Sequence, residues 1–240
     1  MTDAEQFQFR SYAKLGVYGK RKVHAIGLIT EALARGHAHV ACSWGKDSTV
    51  LLHLAQQVDP AIMAIHLRTP QQELLDNYQE VQEQYCANYP TRYHVIDIAA
   101  QLTIPMAVQN LALWDQYPVA LIGIRAEENR HTRGMTIAKH GLMHQYKRGT
   151  CQGSWRVFPL GYWTWLDVWA YIVEYDLPYL ASYDHPQQTE KAHSRTTNIM
   201  PFGNAIGTSR RYGRIAHMKR IAPAAYQWLQ EHAPHIAAYS

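Results

Sequence analysis

The run Ala41-Cys42-Ser43-Trp44-Gly45-Lys46-Asp47-Ser48-Thr49-Val50-Leu51-Leu52 constrains this chain more than any other stretch. His39 to Cys42 reads as a buried strand. Val50, Leu51, Leu52 and Leu54 then open an apolar helical face. A tight turn from strand to helix leaves backbone N–H groups unpaired at the helix N-terminus, where the macrodipole favours an anion. Gly45 is read as permitting a backbone shape that a side chain would hinder, and Ser48 or Asp47 as the helix cap. Capping accounts for Ser48 but not for Ser43, Gly45 and Lys46 in the same turn. A phosphate-bearing ligand is therefore the expected occupant. The turn is not a Walker A loop, because Val40 stands where that pattern needs its first glycine and Asp47 follows Lys46.

The 240 residues, 47% of them hydrophobic, suffice for one α/β domain with a well-filled core. The core is expected over about 20–183, with a C-terminal extension at 184–240. A helix is expected over 11–35, basic at its start through Arg10, Lys14, Lys20, Arg21 and Lys22, and ended by Gly36. Strands are expected at 38–42, 61–67, 92–98 and 118–123, and helices at 48–58 and 71–88. A short fifth strand from Arg156 to Leu160 is placed at a sheet edge, because Pro159 cannot donate to a ladder. Thr164 to Tyr175 reads as a helix with Thr164 as N-cap and Asp167 at its third position. A long loop at 184–214 precedes a final helix, Thr208 to Glu231, interrupted near Pro223. The alternation predicts a doubly wound, mostly parallel five-stranded sheet with helices on both faces. Ligands of such sheets sit beyond the carboxyl ends of the strands, which gathers Ser43–Ser48, His66–Thr69 and Gly123–Arg133 on one rim.

Two further clusters carry chemistry. Gly123-Ile124-Arg125-Ala126-Glu127-Glu128-Asn129-Arg130-His131-Thr132-Arg133 follows the fourth strand. Its guanidiniums suit bidentate contact with phosphate or sulfate, and Glu127 and Glu128 would orient them or hold Mg²⁺ through water. The aromatic run from Arg156 to Ile172 is mostly core packing, with Trp163 and Asp167 set apart by their place near the cap. His140 and His144 have helical spacing, but no zinc pattern accompanies them.

Ser43 to Ser48 resembles the SxGKDS form of the PP-loop, as in the small subunit of bacterial ATP sulfurylase and in the PAPS reductases. Gly123-Ile124-Arg125 with Glu127, Glu128 and Arg130 resembles the arginine-rich segment of that family. Arg156 to Leu160, then Trp163-Thr164, Asp167-Val168-Trp169 and Tyr171-Ile172, resembles its RVFPL…WT..D.W.YI signature. The resemblance implies an ATP or adenylyl-nucleotide site with Mg²⁺. It places phosphate on Ser43, Gly45, Lys46, Asp47 and Ser48, with Trp44, Thr49, His66, Arg68, Gly123, Glu127, Glu128 and Arg133 also at the nucleotide. Arg125 and Arg130 complete an anion clamp, and Lys46 and Asp47 join them as catalytic residues. Asp47 is the candidate Mg²⁺ ligand. The implied reaction is attack on the α-phosphorus with release of pyrophosphate.

Three features depart from the pattern. Trp44 stands where many PP-loops have glycine. His66-Leu67-Arg68-Thr69 replaces an HVDTG run, so Arg68 reverses a charge on the rim. Pro201 to Ser240 lacks the cysteine of the ECGxH-type tail, which disfavours a thioredoxin-dependent reductase. Adenylyl transfer is thus the leading expectation. A sulfonucleotide reductase or sulfurtransferase relative, with Cys151 its best cysteine, and a non-catalytic nucleotide-binding subunit are the alternatives. The stripe Arg210, Arg211, Arg214, Lys219 and Arg220 leaves a nucleic-acid or protein partner open, and self-association is open as well. Met1 to Arg10 is polar and lacks a signal h-region. Three cysteines without a CxxC fit a reducing, cytoplasmic setting. No apolar run is long enough to span a membrane.

Overall fold

A computed structural model describes residues 1–68, 78–97, 113–149, 151–184, 219 and 223–232. Helices α1 (Asp3–Ala13) and α2 (Gly16–Leu33) lead into β1 (Ala38–Ala41), α3 (Lys46–Gln56), β2 (Met63–Arg68), α4 (Tyr78–Asn88) and β3 (Arg92–Asp97). Then come α5 (Leu113–Gln116), β4 (Val119–Ile122), a 3-10 turn (Ala126–Glu128), a π turn (Arg130–Gly134) and α6 (Met135–His140). Strands β5 (Met143–Gln145) and β6 (Trp155–Val157), α7 (Trp165–Glu174), a second 3-10 turn (Ala181–Asp184) and α8 (Pro223–His232) complete the described chain.

The six strands run in the order β3-β2-β1-β4-β6-β5, parallel except for the β5–β6 pair. The chain moves outward from β1 to β2 and β3, then restarts on the other side of β1 with β4. Right-handed crossovers place α3 and α4 on one face of the sheet. Val40, Ala64, Leu121 and Val157 lie in register on the first face and join α2, α3, α4 and α7 in one core. The direction of winding reverses between β1 and β4, and the crevice beyond such a point is where ligands of these sheets bind.

Three expectations are corrected. The helix foreseen over 11–35 is two helices, parted at Lys14 and Leu15. Residues 3–13 form α1, held at its start by a Thr2–Glu5 capping box. The sheet has a sixth strand, β5, whose three residues carry too little pattern to stand out. It flanks β6, so the strand at 155–157 is interior, and Pro159 lies past its end. Of Arg21 and Lys22 in the basic start, Arg21 pairs with Asp167 and Lys22 with Glu174. Thr69, residues 71–77 of the foreseen helix and the loop at 185–214 fall outside the described residues, as does the basic stripe apart from Lys219.

Candidate active site

The loop turns through Trp44, which has φ +59°, the left-handed region that bulky side chains rarely adopt. That conformation costs a non-glycine residue about 1–2 kcal/mol, which explains why glycine suits this position. Here burial offsets it: the indole is fully buried, 5.9 Å from the ring of Tyr85 and 6.5 Å from that of Tyr93. Gly45 does not have the special role expected of it. It has φ −75° and ψ 157° and serves as N-cap without a side-chain bond. A Cβ there would meet Ser43 Oγ and Tyr183 Oη at ordinary contact distances of 3.6 and 3.8 Å.

Ser48 is not the cap but the lock of the turn. Its hydroxyl donates to the Gly45 carbonyl at 2.9 Å and accepts from Ser43 N–H at 3.2 Å, with Ser43 Oγ 3.3 Å away. Thr49 is buried behind it, its N–H bonded to the Gly45 carbonyl.

Lys46 and Asp47 open α3 and are both buried. Lys46 Nζ donates to Asp47 Oδ2 at 2.7 Å and lies 5.2 Å from the Tyr183 ring centroid. Arg125, fully buried, donates through Nε to Asp47 Oδ1 at 2.6 Å and through Nη1 to Glu127 Oε2 at 2.8 Å. Glu127 Oε2 also accepts from Trp165 N–H, the first residue of α7, at 2.7 Å. One chain of charge-assisted bonds therefore runs from the loop through the segment after β4 to the start of α7. Gly123 makes this closeness possible, since a Cβ there would stand 3.0 Å from the Asp47 carbonyl oxygen and 3.2 Å from Ser48 N.

The anion clamp is only partly as foreseen. Arg125 is a buried tie, with Nη2 left without a partner among the described residues. Arg130 is exposed on the π turn, and Arg133 pairs with Glu128, which also accepts from Arg125 N–H at 3.3 Å. Asn129, not foreseen, accepts from His131 N–H and Thr132 N–H to start the π turn.

His66 is buried against Tyr78 with ring centroids 4.8 Å apart. Arg68 forms a two-bond pair with Asp97 of β3, at 2.5 and 2.9 Å, which raises its pKa through that hydrogen bond. The charge reversal on the rim is thus answered by the neighbouring strand. Asp167 and Trp163 are structural. Asp167 caps α7 with Thr164 and binds Arg21 and Tyr12, and Trp163 Nε1 donates to the Arg21 carbonyl.

Asp47 does not fit a Mg²⁺ ligand, because each of its oxygens accepts from a cationic side chain. Among the described residues no three His, Cys, Asp or Glu gather as a metal site. Burial pushes the Cys42 thiol up to about 12, and burial also raises that of Cys86; Cys151 is buried. No described helix is long and apolar enough to cross a membrane.

A strand-loop-helix turn at the reversal point of a parallel sheet thus carries the SxGKDS run, the arrangement of a PP-loop. The model of the phosphoadenosine phosphosulfate reductase domain matches residues 37–117 and 107–189, and the chain belongs to that family. It is similar to the adenosine 5'-phosphosulfate reductase of Bacillus cereus strain Q1, 28% identical over 166 residues, covering 60% of this chain and 66% of the relative. The same enzyme of Bacillus mycoides strain KBAB4 is 29% identical over 163 residues, with the same coverage. The match therefore spans just under two thirds of these relatives' length. A phosphoadenylyl-sulfate reductase structure from Candida auris aligns with a TM-score of 0.45 at 13% identity, over 75% of this chain and 89% of that one.

Proposed function

We propose that this chain is an enzyme that binds an adenylyl nucleotide with its anionic tail in the loop Ser43–Ser48, and that its substrate is a sulfonucleotide such as adenosine 5'-phosphosulfate. The observation that carries this reading is the charge balance of the cradle. Lys46 and Arg125 are met by Asp47 and Glu127. A nearly neutral cradle suits a tail of low charge better than a triphosphate. Asp47 is also committed to cations rather than open to the Mg²⁺ that ATP would bring. The adenosine 5'-phosphosulfate reductases among its relatives support the same substrate class.

Reduction of such a substrate needs two thiols. One attacks the sulfur and AMP leaves; the second attacks the resulting thiosulfonate, so that sulfite departs as a disulfide forms. Cys42, Cys86 and Cys151 are buried or raised in pKa and are poor sources of thiolate. The thiols would then come from an external dithiol. The same fact favours one second reading, adenylyl transfer from ATP with loss of pyrophosphate, which needs no thiol.

Calorimetry with AMP, adenosine 5'-phosphosulfate and ATP with Mg²⁺ should rank the sulfonucleotide first, about tenfold or more above AMP. Lys46→Ala should remove that margin. Sulfite should appear from the sulfonucleotide with dithiothreitol. Pyrophosphate from ATP, with no sulfonucleotide binding, would transfer the assignment to adenylyl transfer. Tight binding with neither product would make the chain a nucleotide-binding subunit.

A further inference from the structure

The phosphate loop lies at the carboxyl ends of the strands. At their amino ends is a separate cavity of about 570 Å³. Leu33, Ile62 and Met63 give it apolar lining and Tyr117 an aromatic one. Two opposite charges share it. Arg92 is the first residue of edge strand β3, in register with Met63 of β2. Asp59 lies in the turn between α3 and β2, where its Oδ1 accepts from Ala61 N–H at 2.9 Å.

Among the described residues neither charge has an ion pair, and they do not pair with each other. Some opposite charges elsewhere on the surface do pair. Arg68 meets Asp97, Lys22 meets Glu174 and Arg35 meets Glu31. A guanidinium and a carboxylate held apart in one cavity match a ligand that carries both charges. The volume lies within the range of about 300–1,000 Å³ typical of small-molecule sites.

We propose that this cavity binds a small zwitterion with an apolar body, in chemical class an α-amino acid with an aromatic or branched side chain. Its carboxylate meets Arg92, its ammonium meets the remaining oxygen of Asp59, and its side chain lies against Leu33, Ile62, Met63 and Tyr117. An anion alone would gain Arg92 but face Asp59, and a cation alone would face Arg92. The inference does not rest on the nucleotide reading, because none of these residues belongs to the loop or its rim.

The test is calorimetry on the full chain with L-tryptophan and L-leucine, beside tryptamine and indole-3-propionate as singly charged comparators. One equivalent of a zwitterion should bind, about tenfold or more tightly than either comparator. Arg92→Gln should bring L-tryptophan down to the affinity of tryptamine. Asp59→Asn should bring it to that of indole-3-propionate, while the new amide oxygen still accepts from Ala61 N–H. Should Asp59→Asn fail to fold, Arg92→Gln on the exposed edge strand carries the test alone. No binding of either amino acid, equal affinity for zwitterions and comparators, or unchanged binding by Arg92→Gln overturns the proposal.

Discussion

Asp47 and Asp167 each sit buried in the first turn of a helix and each meets an arginine far away in sequence, yet their surroundings differ in kind. Asp167 accepts from Thr164 N–H and Oγ, from Tyr12 and from Arg21, at 2.6 to 3.1 Å. Its donors come from α1, α2 and the cap of α7, and they fasten those elements together. Asp47 accepts from Lys46 and Arg125, and Arg125 keeps a buried Nη2 without a partner among the described residues. The first carboxylate is saturated by mostly neutral donors. The second is met by two cations, one of which, Arg125, keeps a buried Nη2 without a partner among the described residues, so an incoming anion can compete for it. Burial and pairing alone do not separate a structural carboxylate from one at a site; the surplus of donors around it does.

The largest expected effect tests that difference directly. Asp167→Asn should cost about 3 kcal/mol in urea unfolding, because it breaks a buried pair and a capping box together. Inorganic phosphate should not restore it. Asp47→Asn should also destabilise, since it takes the carboxylate from Lys46 and leaves Arg125 with Glu127 alone, but here phosphate should recover much of the loss. Recovery of both variants, or of neither, would erase the distinction.

Comparable in size, ring for ring, is acid sensitivity. His53 on α3 bonds to Tyr171 of α7 at 2.8 Å, and so lies between the two helices that Asp47 and Asp167 open. Burial lowers its pKa from 6.5 to about 4, and burial lowers that of His39 likewise to about 4. The folded state holds these rings neutral, so the unfolded state binds more protons between those values. Their contribution is present above pH 6.5 and is lost as pH falls from 6.5 towards 4, by roughly 3 kcal/mol for each ring. His53→Gln should flatten that limb by about the share of one ring. An unchanged slope in urea unfolding across this window would remove His53 from the account.

The sequence made the two helix starts unequally legible. Thr164 and Asp167 lie three residues apart, and a capping box is a local pattern. The loop was recognisable as an anion site for the same reason, since Ser43 to Ser48 are contiguous. The Asp47–Arg125 bond joins residues 78 apart, and only the pairing of β1 with β4 brings them together. Composition therefore pointed to Arg125 as an open clamp rather than a buried tie. A backbone shape that hinders side chains is expected at Gly45, because glycine is its usual sign. Burial against Tyr85 and Tyr93 lets Trp44 take it instead. Helix α1 escaped notice because its residues are largely polar and only Phe9 is buried. Strands β1, β2 and β4 were clear because their apolar runs are bounded by turn residues, and β3 because its residues alternate.

Gly123→Ala should have a smaller effect on stability, about 1–3 kcal/mol. The added methyl meets backbone of Asp47 and Ser48, which cannot step aside like a flexible side chain. The displaced turn should also bind phosphate more weakly, whereas Gly161→Ala, which meets a Leu142 side-chain carbon and, away from the turn, the Phe158 carbonyl oxygen at 3.1 Å, should disturb packing near α6 without that loss. Equal losses of phosphate binding in both would show that the turn responds to general loosening rather than to its contact with β4.

The smallest effect is expected at Arg68, and it sharpens the boundary of the site. Arg68 lies on the rim by topology, beyond the last residue of β1, yet its guanidinium is turned to Asp97 on the neighbouring strand. Exposed pairs of this kind contribute little to stability and are screened by salt. Arg68→Ala should leave the melting temperature nearly unchanged and nucleotide affinity within about twofold, since the pair can be lost without uncovering a buried charge. Asp97→Ala removes this carboxylate while keeping the charge of the guanidinium. If Arg68 takes part in nucleotide binding, Asp97→Ala should raise affinity and Arg68→Ala should lower it. If the two variants behave alike, the site ends at the loop and the Gly123–Glu128 segment, and the reversed charge on the rim is a feature of the strand edge alone.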